Sequence, residues 1–129
     1  MKTEIATLEN IKLLVDDFYG KVRGDKLIGY IFDDVIKDNW NEHLEKMYSF
    51  WQTILLHEYT YKGAPFPKHL QLPVEKHHFD RWLELFHETI DTYFEGEKAE
   101  ELRMRSVKMA EMFMMKINFH RENPGKLIQ

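Results

Sequence analysis

The sequence predicts an all-α fold, and three observations carry that prediction. Apolar residues recur at helical spacing along four long stretches, no stretch alternates as a half-buried strand would, and the breaks between stretches hold Gly, Pro, Asp and Asn. At 129 residues the chain is predicted to form a single domain, with an ordered core from about residue 7 to 120 and a tail over 121–129 opened by Asn123-Pro124-Gly125.

Thr7 is placed to cap a first helix in which Ile11, Leu14, Val15, Phe18 and Val22 form one apolar stripe, with Tyr19 beside it. Gly24 with Asp25 should end that helix, because glycine tolerates the left-handed cap. The stretch L-I-G-Y-I-F that follows is too brief for a major helix; its Tyr30, Ile31 and Phe32 would roof a pocket or plug the core. Asp38 and Asn39 are N-cap candidates for a helix that turns Trp40, Leu44, Met47, Trp51, Ile54 and Leu55 inward. His43, three residues after Trp40 and four before Met47, shares that stripe.

About eighteen residues then separate this helix from the next long one, more than a simple bundle connection needs. Pro65, Pro67 and Pro73 forbid a long helix here and leave room for about one turn between the last two, and that turn carries His69. An imidazole on a short, proline-bounded turn is poor core packing and a good way to aim a ligand. The next helix, from about Val74 to Phe94, puts Phe79, Trp82, Leu83, Phe86, Ile90 and Tyr93 on one side and is stopped by Gly96. The last, about Glu97 to Phe119, buries Ala99, Leu102, Ser106, Met109, Ala110, Phe113 and Ile117.

Composition removes several classes of chemistry. The absence of cysteine excludes thiolate zinc sites, iron–sulfur clusters, thiolate-ligated haem, covalent haem attachment and disulfides, so a metal must be held by His and carboxylate or within a cofactor. A net charge of −4 with interspersed signs offers no stripe for phosphates, so nucleic acid is not an expected partner. The N-terminus lacks the apolar core of a secretory signal and no run approaches the roughly 20 apolar residues of a membrane span, so a cytoplasmic protein without a membrane partner is expected. No G-x-S-x-G elbow, phosphate loop, or flavin or nicotinamide motif is present.

Two metal readings compete with a cofactor-free helical binding module. Glu75-x-x-His78 and Glu84-x-x-His87 match the spacing of di-iron carboxylate bundles, but copies nine residues apart at about 100° per residue point to opposite sides of one helix. His77 and His78 then read as solvated first-turn residues, and His57, His87 and His120 as surface. The other reading is haem: His69 would be the proximal ligand, and a phenol and an indole N–H in an apolar pocket would stabilise a polar diatomic ligand opposite. A cofactor-free module would instead make His43, Tyr19 and Trp82 packed core residues.

The order and spacing of several motifs resemble the truncated haemoglobins, specifically group III, over roughly Ile11 to Phe119. The matching residues are Phe18-Tyr19, Ile31-Phe32, W-N-E-H at Trp40 to His43, Phe50-Trp51, K-H-L-x-L-P from Lys68 to Pro73, and F-D-R-W-L-x-L-F from Phe79 to Phe86. The resemblance implies a globin-like, truncated two-over-two helical sandwich enclosing haem b. It places the proximal histidine at His69, the distal tyrosine at Tyr19, a gating histidine at His43, and a ligand-reaching tryptophan at Trp82. Phe32 matches an aromatic packed on the haem, and Met47 stands where the family usually has an aliphatic residue. Leu72 and Phe79 fall in the matched motifs as further contacts. Lys68 and Arg81 are the obvious cations for the propionates, although each reads equally well as a solvated residue. The function expected is binding of O2, NO and CO at the iron, with oxygen transport or nitric-oxide or peroxide chemistry as possible roles. Turnover would require a separate reductase as electron donor.

Overall fold

A computed structural model describes residues 2–63 and 72–123. Its five helices are α1 (Leu8–Gly24), α2 (Gly29–Ile36), α3 (Trp40–Leu56), α4 (Lys76–Tyr93) and α5 (Glu97–Glu122). They form a two-over-two sandwich: α1 packs on α3 and α4 on α5, with α1 also against α4, α3 against α5, and α2 tucked on α1.

The first helix forms as its sequence dictates. Thr7 and Asn10 make a reciprocal capping box, and the whole predicted stripe is buried together with Tyr19. Its end is made differently from the expectation. Gly24 closes the helix without a left-handed turn, and Asp25, in extended conformation, accepts the N–H groups of Leu27 and Ile28 at 3.0 and 3.1 Å. A glycine is needed five residues on, where a Cβ on Gly29 would lie 2.8 Å from the Val22 carbonyl oxygen, so α2 can press against the last turn of α1.

Asn39 occupies the N-cap of α3, although its side chain makes no capping hydrogen bond. The inward face is wider than the predicted stripe, since Phe50 is buried beside Trp51. His57 ends this helix in the left-handed region (φ 58°) and is exposed. The chain then folds back on α3: Thr53 Oγ1 accepts the N–H groups of Thr60 and Tyr61 at 3.1 and 3.0 Å, and the Tyr61 ring meets Phe50 edge-on.

Helix α4 starts two residues later than Val74, because Glu75 caps it through a reciprocal box with His78. Its buried side is also broader than predicted, taking in Leu85 and Thr89, while Leu83 is only half-buried. Gly96 serves as the N-cap of α5 with φ +103°, and a Cβ there would collide with the Glu4 carboxylate. Glu4 in turn accepts the Lys98 N–H at 2.8 Å. Packing extends upstream of the first helix: Ile5 is fully buried, and Thr3 pairs with the α4 exit through Thr3 N–H to Tyr93 O (3.1 Å) and Glu95 N–H to Thr3 O (2.9 Å). The predicted inward residues of α5 are buried except Met109, which is partly so.

Candidate functional site

Between the layers lies an apolar cavity walled by all five helices and by Leu72 and Val74. About 200 Å³ of it is open to the centre of a water molecule. Helix α1 contributes Phe18 and Tyr19; α2 gives Ile31, Phe32, Val35 and Ile36; α3 gives His43, Met47, Phe50 and Trp51; α4 gives His78, Phe79 and Trp82; α5 gives Met109, Ala110 and Phe113. Val35, 57% exposed, stands at the lip.

Seven of the residues singled out in the sequence therefore meet in one place: Tyr19, Phe32, His43, Met47, Leu72, Phe79 and Trp82. Aromatic contacts order the polar ones. The Tyr19 ring lies edge-on to His43 at 5.2 Å and to Phe32 at 5.9 Å. Trp40 backs both, 5.8 Å from Tyr19 and 5.9 Å from His43, and carries the Arg23 guanidinium over its own face at 4.4 Å. Phe18 joins Tyr19 (4.9 Å) to Trp82 (5.4 Å), and Trp82 is stacked on Phe86 at 5.0 Å with 11° between the planes. Burial raises the pKa of Tyr19 well beyond that of an ordinary phenol, so the hydroxyl stays protonated and can donate.

Arg81 does not line this cavity. Its Nε–H and one terminal amino group each reach Asp25 Oδ1 at 2.8 Å, and another amino group pairs with Glu84. Burial opposes ionisation of Asp25, but the Arg81 hydrogen bond and the N–H groups of Ile28 and Leu27 prevail and hold the carboxyl below its usual range. This guanidinium thus ties α4 to the corner after α1. His69 and Lys68 lie outside the described residues.

The Glu-x-x-His pairs have other work. Glu75 and His78 cap α4, and Glu75 also receives Arg121 at 3.1 Å. Glu84 pairs with Arg81. His87, expected at the surface, is half-buried between α4 and α5: the Ser106 hydroxyl gives its proton to Arg103 O (2.8 Å), so His87 Nε2–H donates to Ser106 Oγ at 3.0 Å. Among the described residues no group of three or more His, Asp and Glu is arranged to hold a metal ion, and no helix is long and apolar enough to cross a membrane.

Sequence reasoning missed His78, whose place on the cavity wall follows from the start of α4 at Lys76, and Val35, Val74 and Phe113, apolar residues with no local signal of a ligand. The lining suits a flat, largely apolar macrocycle: hydrocarbon and aromatic walls, with a phenol and an imidazole together on one side.

Comparison with known proteins agrees with this geometry. The family model described as bacterial-like globin matches residues 3–116. A group 3 truncated hemoglobin (ctb) from Campylobacter jejuni is 38% identical over 117 residues, covering 88% of this chain and 92% of that protein. The crystal structure of a group III truncated hemoglobin from Campylobacter jejuni superposes with a TM-score of 0.83 at 36% identity, covering 91% of this chain and 95% of that one. The chain belongs to the bacterial-like globin family, and so is a haem-binding globin. Within that family it is a truncated haemoglobin of group III.

Proposed function

We propose that the chain binds haem b through His69 and takes up O2, NO or CO at the opposite face, in the cytoplasm, with a separate reductase where turnover occurs. The observation that carries this reading is the convergence of Tyr19, His43 and Trp82 on one apolar cavity. Without cysteine the haem is held non-covalently, by one imidazole and by burial. Leu72, three residues after His69, lines the cavity, and three residues of extended chain span at most about 11 Å.

Haem supplies an iron with an open coordination position for a diatomic molecule. Tyr19 would offer such a ligand a protonated hydroxyl held in apolar surroundings, where a hydrogen bond to a partly negative group is stronger than in water. Trp82 holds a second N–H on a ring fixed by Phe18 and Phe86. His43, between Trp40 and Tyr19, controls passage by changing rotamer. Met47, one turn further along α3, narrows the ligand space with a flexible thioether. Phe32, Leu72 and Phe79 supply the apolar surface that excludes water from the ring. Lys68 is the proposed cation for a propionate.

Titration of haemin into the purified chain tests this. One equivalent should bind with a sharp Soret band that shifts on reduction and on CO addition, and His69→Ala should abolish stoichiometric capture. A chain that stays colourless, or a normal Soret band in His69→Ala, would contradict the reading. Sustained NO consumption with an added reductase would mark an enzyme, and binding without turnover a carrier or sensor.

A further inference from the structure

His78 is placed on the cavity wall by a bond that also fixes its protonation. The Glu75 N–H donates to His78 Nδ1 at 2.8 Å while the backbone N–H of His78, not its ring, is donated back to Glu75, the two halves of the α4 capping box. A ring nitrogen that accepts a backbone N–H carries no proton, so the neutral ring must hold its proton on Nε2. Burial and the adjacent His77 ring, 4.1 Å away, lower the pKa of His78, with Glu75 acting weakly the other way; the neutral form is therefore favoured.

This arrangement excludes one role and points to another. An iron ligand needs one bare nitrogen and a proton on the other; in His78 the bare nitrogen is already taken by the helix cap. What remains is an Nε2–H donor on a half-buried side chain, in a wall that Leu72, Val74 and Phe79 otherwise make apolar. A bound haem must keep its carboxylates at a wet edge with hydrogen-bond donors, because a carboxylate in an apolar interior is very costly. The nearby guanidinium groups are engaged: Arg121 donates to Leu72 O (3.2 Å), Val74 O (2.8 Å) and Glu75 Oε1 (3.1 Å), and Arg81 to Asp25 and Glu84.

We propose that His78 donates a hydrogen bond from Nε2–H to a haem propionate, in the tautomer its capping bond enforces. The assignment rests on the haem reading above and adds a polar anchor on the α4 side of the pocket.

His78→Glu separates the two functions of the residue, because Glu at this position keeps a capping box while replacing the donor with an anion. Full-length wild-type and variant proteins are loaded with iron protoporphyrin IX or with its dimethyl ester, and loss to excess acceptor apoglobin is timed. The variant should lose the free-acid haem about tenfold faster or more, and the esterified haem at the wild-type rate within about twofold. Equal ratios for the two haems, or no effect on the free acid, would overturn the assignment. The wild-type protein gives an independent reading through the 15N shifts of His78 in the diamagnetic CO form. A bare Nδ1 and protonated Nε2 are expected; the reverse tautomer or an imidazolium at pH 7 would also overturn it. A wild-type chain that captures neither haem overturns both readings together, whereas capture with equal ratios removes His78 alone.

Discussion

Tyr19 is 7% exposed and surrounded by Phe18, Phe32, Trp40 and His43, so its proton is held across the physiological pH range and remains available to a ligand. Tyr19→Phe keeps the ring and its packing and removes only the donor. Flash photolysis and stopped-flow should show O2 leaving roughly 10–100 times faster, the equivalent of one strong hydrogen bond of about 1.5–3 kcal/mol. An unchanged off-rate would take Tyr19 out of the distal role. At Gly96 the constraint is the backbone. With φ +103° and the Glu4 carboxylate where a Cβ would go, Gly96→Ala should destabilise the fold by about 1–3 kcal/mol, read as a lower urea midpoint with unchanged slope.

At the scale of elements, the segment from Leu72 to Glu75 is held to the end of α5 by Arg121, which reaches two of its carbonyls and the Glu75 carboxylate. Arg121→Met keeps much of the apolar stem and removes those bonds. Hydrogen exchange in a peptide spanning 72–80 should quicken, and exchange in α1 should not; equal protection in both proteins would show the strap to be held by Val74 packing alone. The α4–α5 contact has a titratable member. His87 is lowered in pKa by burial first and by the Arg103 charge second, against a smaller opposing hydrogen-bond effect from Arg103. Its folded pKa lies below the unfolded value of 6.5, so the unfolded chain takes up its proton first as pH falls. The stability that this neutral histidine preserves is complete above about pH 6.5 and declines below it. His87→Gln should flatten the dependence of Tm on pH between about 7 and 5.5; an identical slope would assign the acid sensitivity elsewhere.

Over the whole molecule, the cavity between the layers is where most of the site predictions converge, and its walls are largely apolar. A ligand that binds only the folded state stabilises it by mass action. Extraction of haem should therefore lower Tm, and haemin should restore it in proportion to the logarithm of its concentration above the dissociation constant. A Tm indifferent to haem would mean that the sandwich does not depend on its contents. Acid resistance has a second limit below the histidines. Asp25 and Glu101 are held below their ordinary values of 3.8 and 4.5 by Arg81 and by Arg105 with Lys98, so their contribution is present above those values and is lost as pH falls through the lower folded ones.

What the sequence determined by itself was whatever repeats along a single helix. Ile11, Leu14, Val15, Phe18 and Val22 define a buried face by spacing alone, Thr7 announces a cap, and the motif order around Tyr19, His43 and Trp82 was enough to propose one pocket. What only the tertiary structure decided was which groups met across elements. Arg81 found Asp25, 56 residues away, and His87 found Ser106; no local pattern foretells either, because a side chain's partner depends on how two helices cross. His78 looked like a solvated residue of a first turn until the helix start and the opposing wall were in place, and those are properties of the packed molecule rather than of any one stretch of chain.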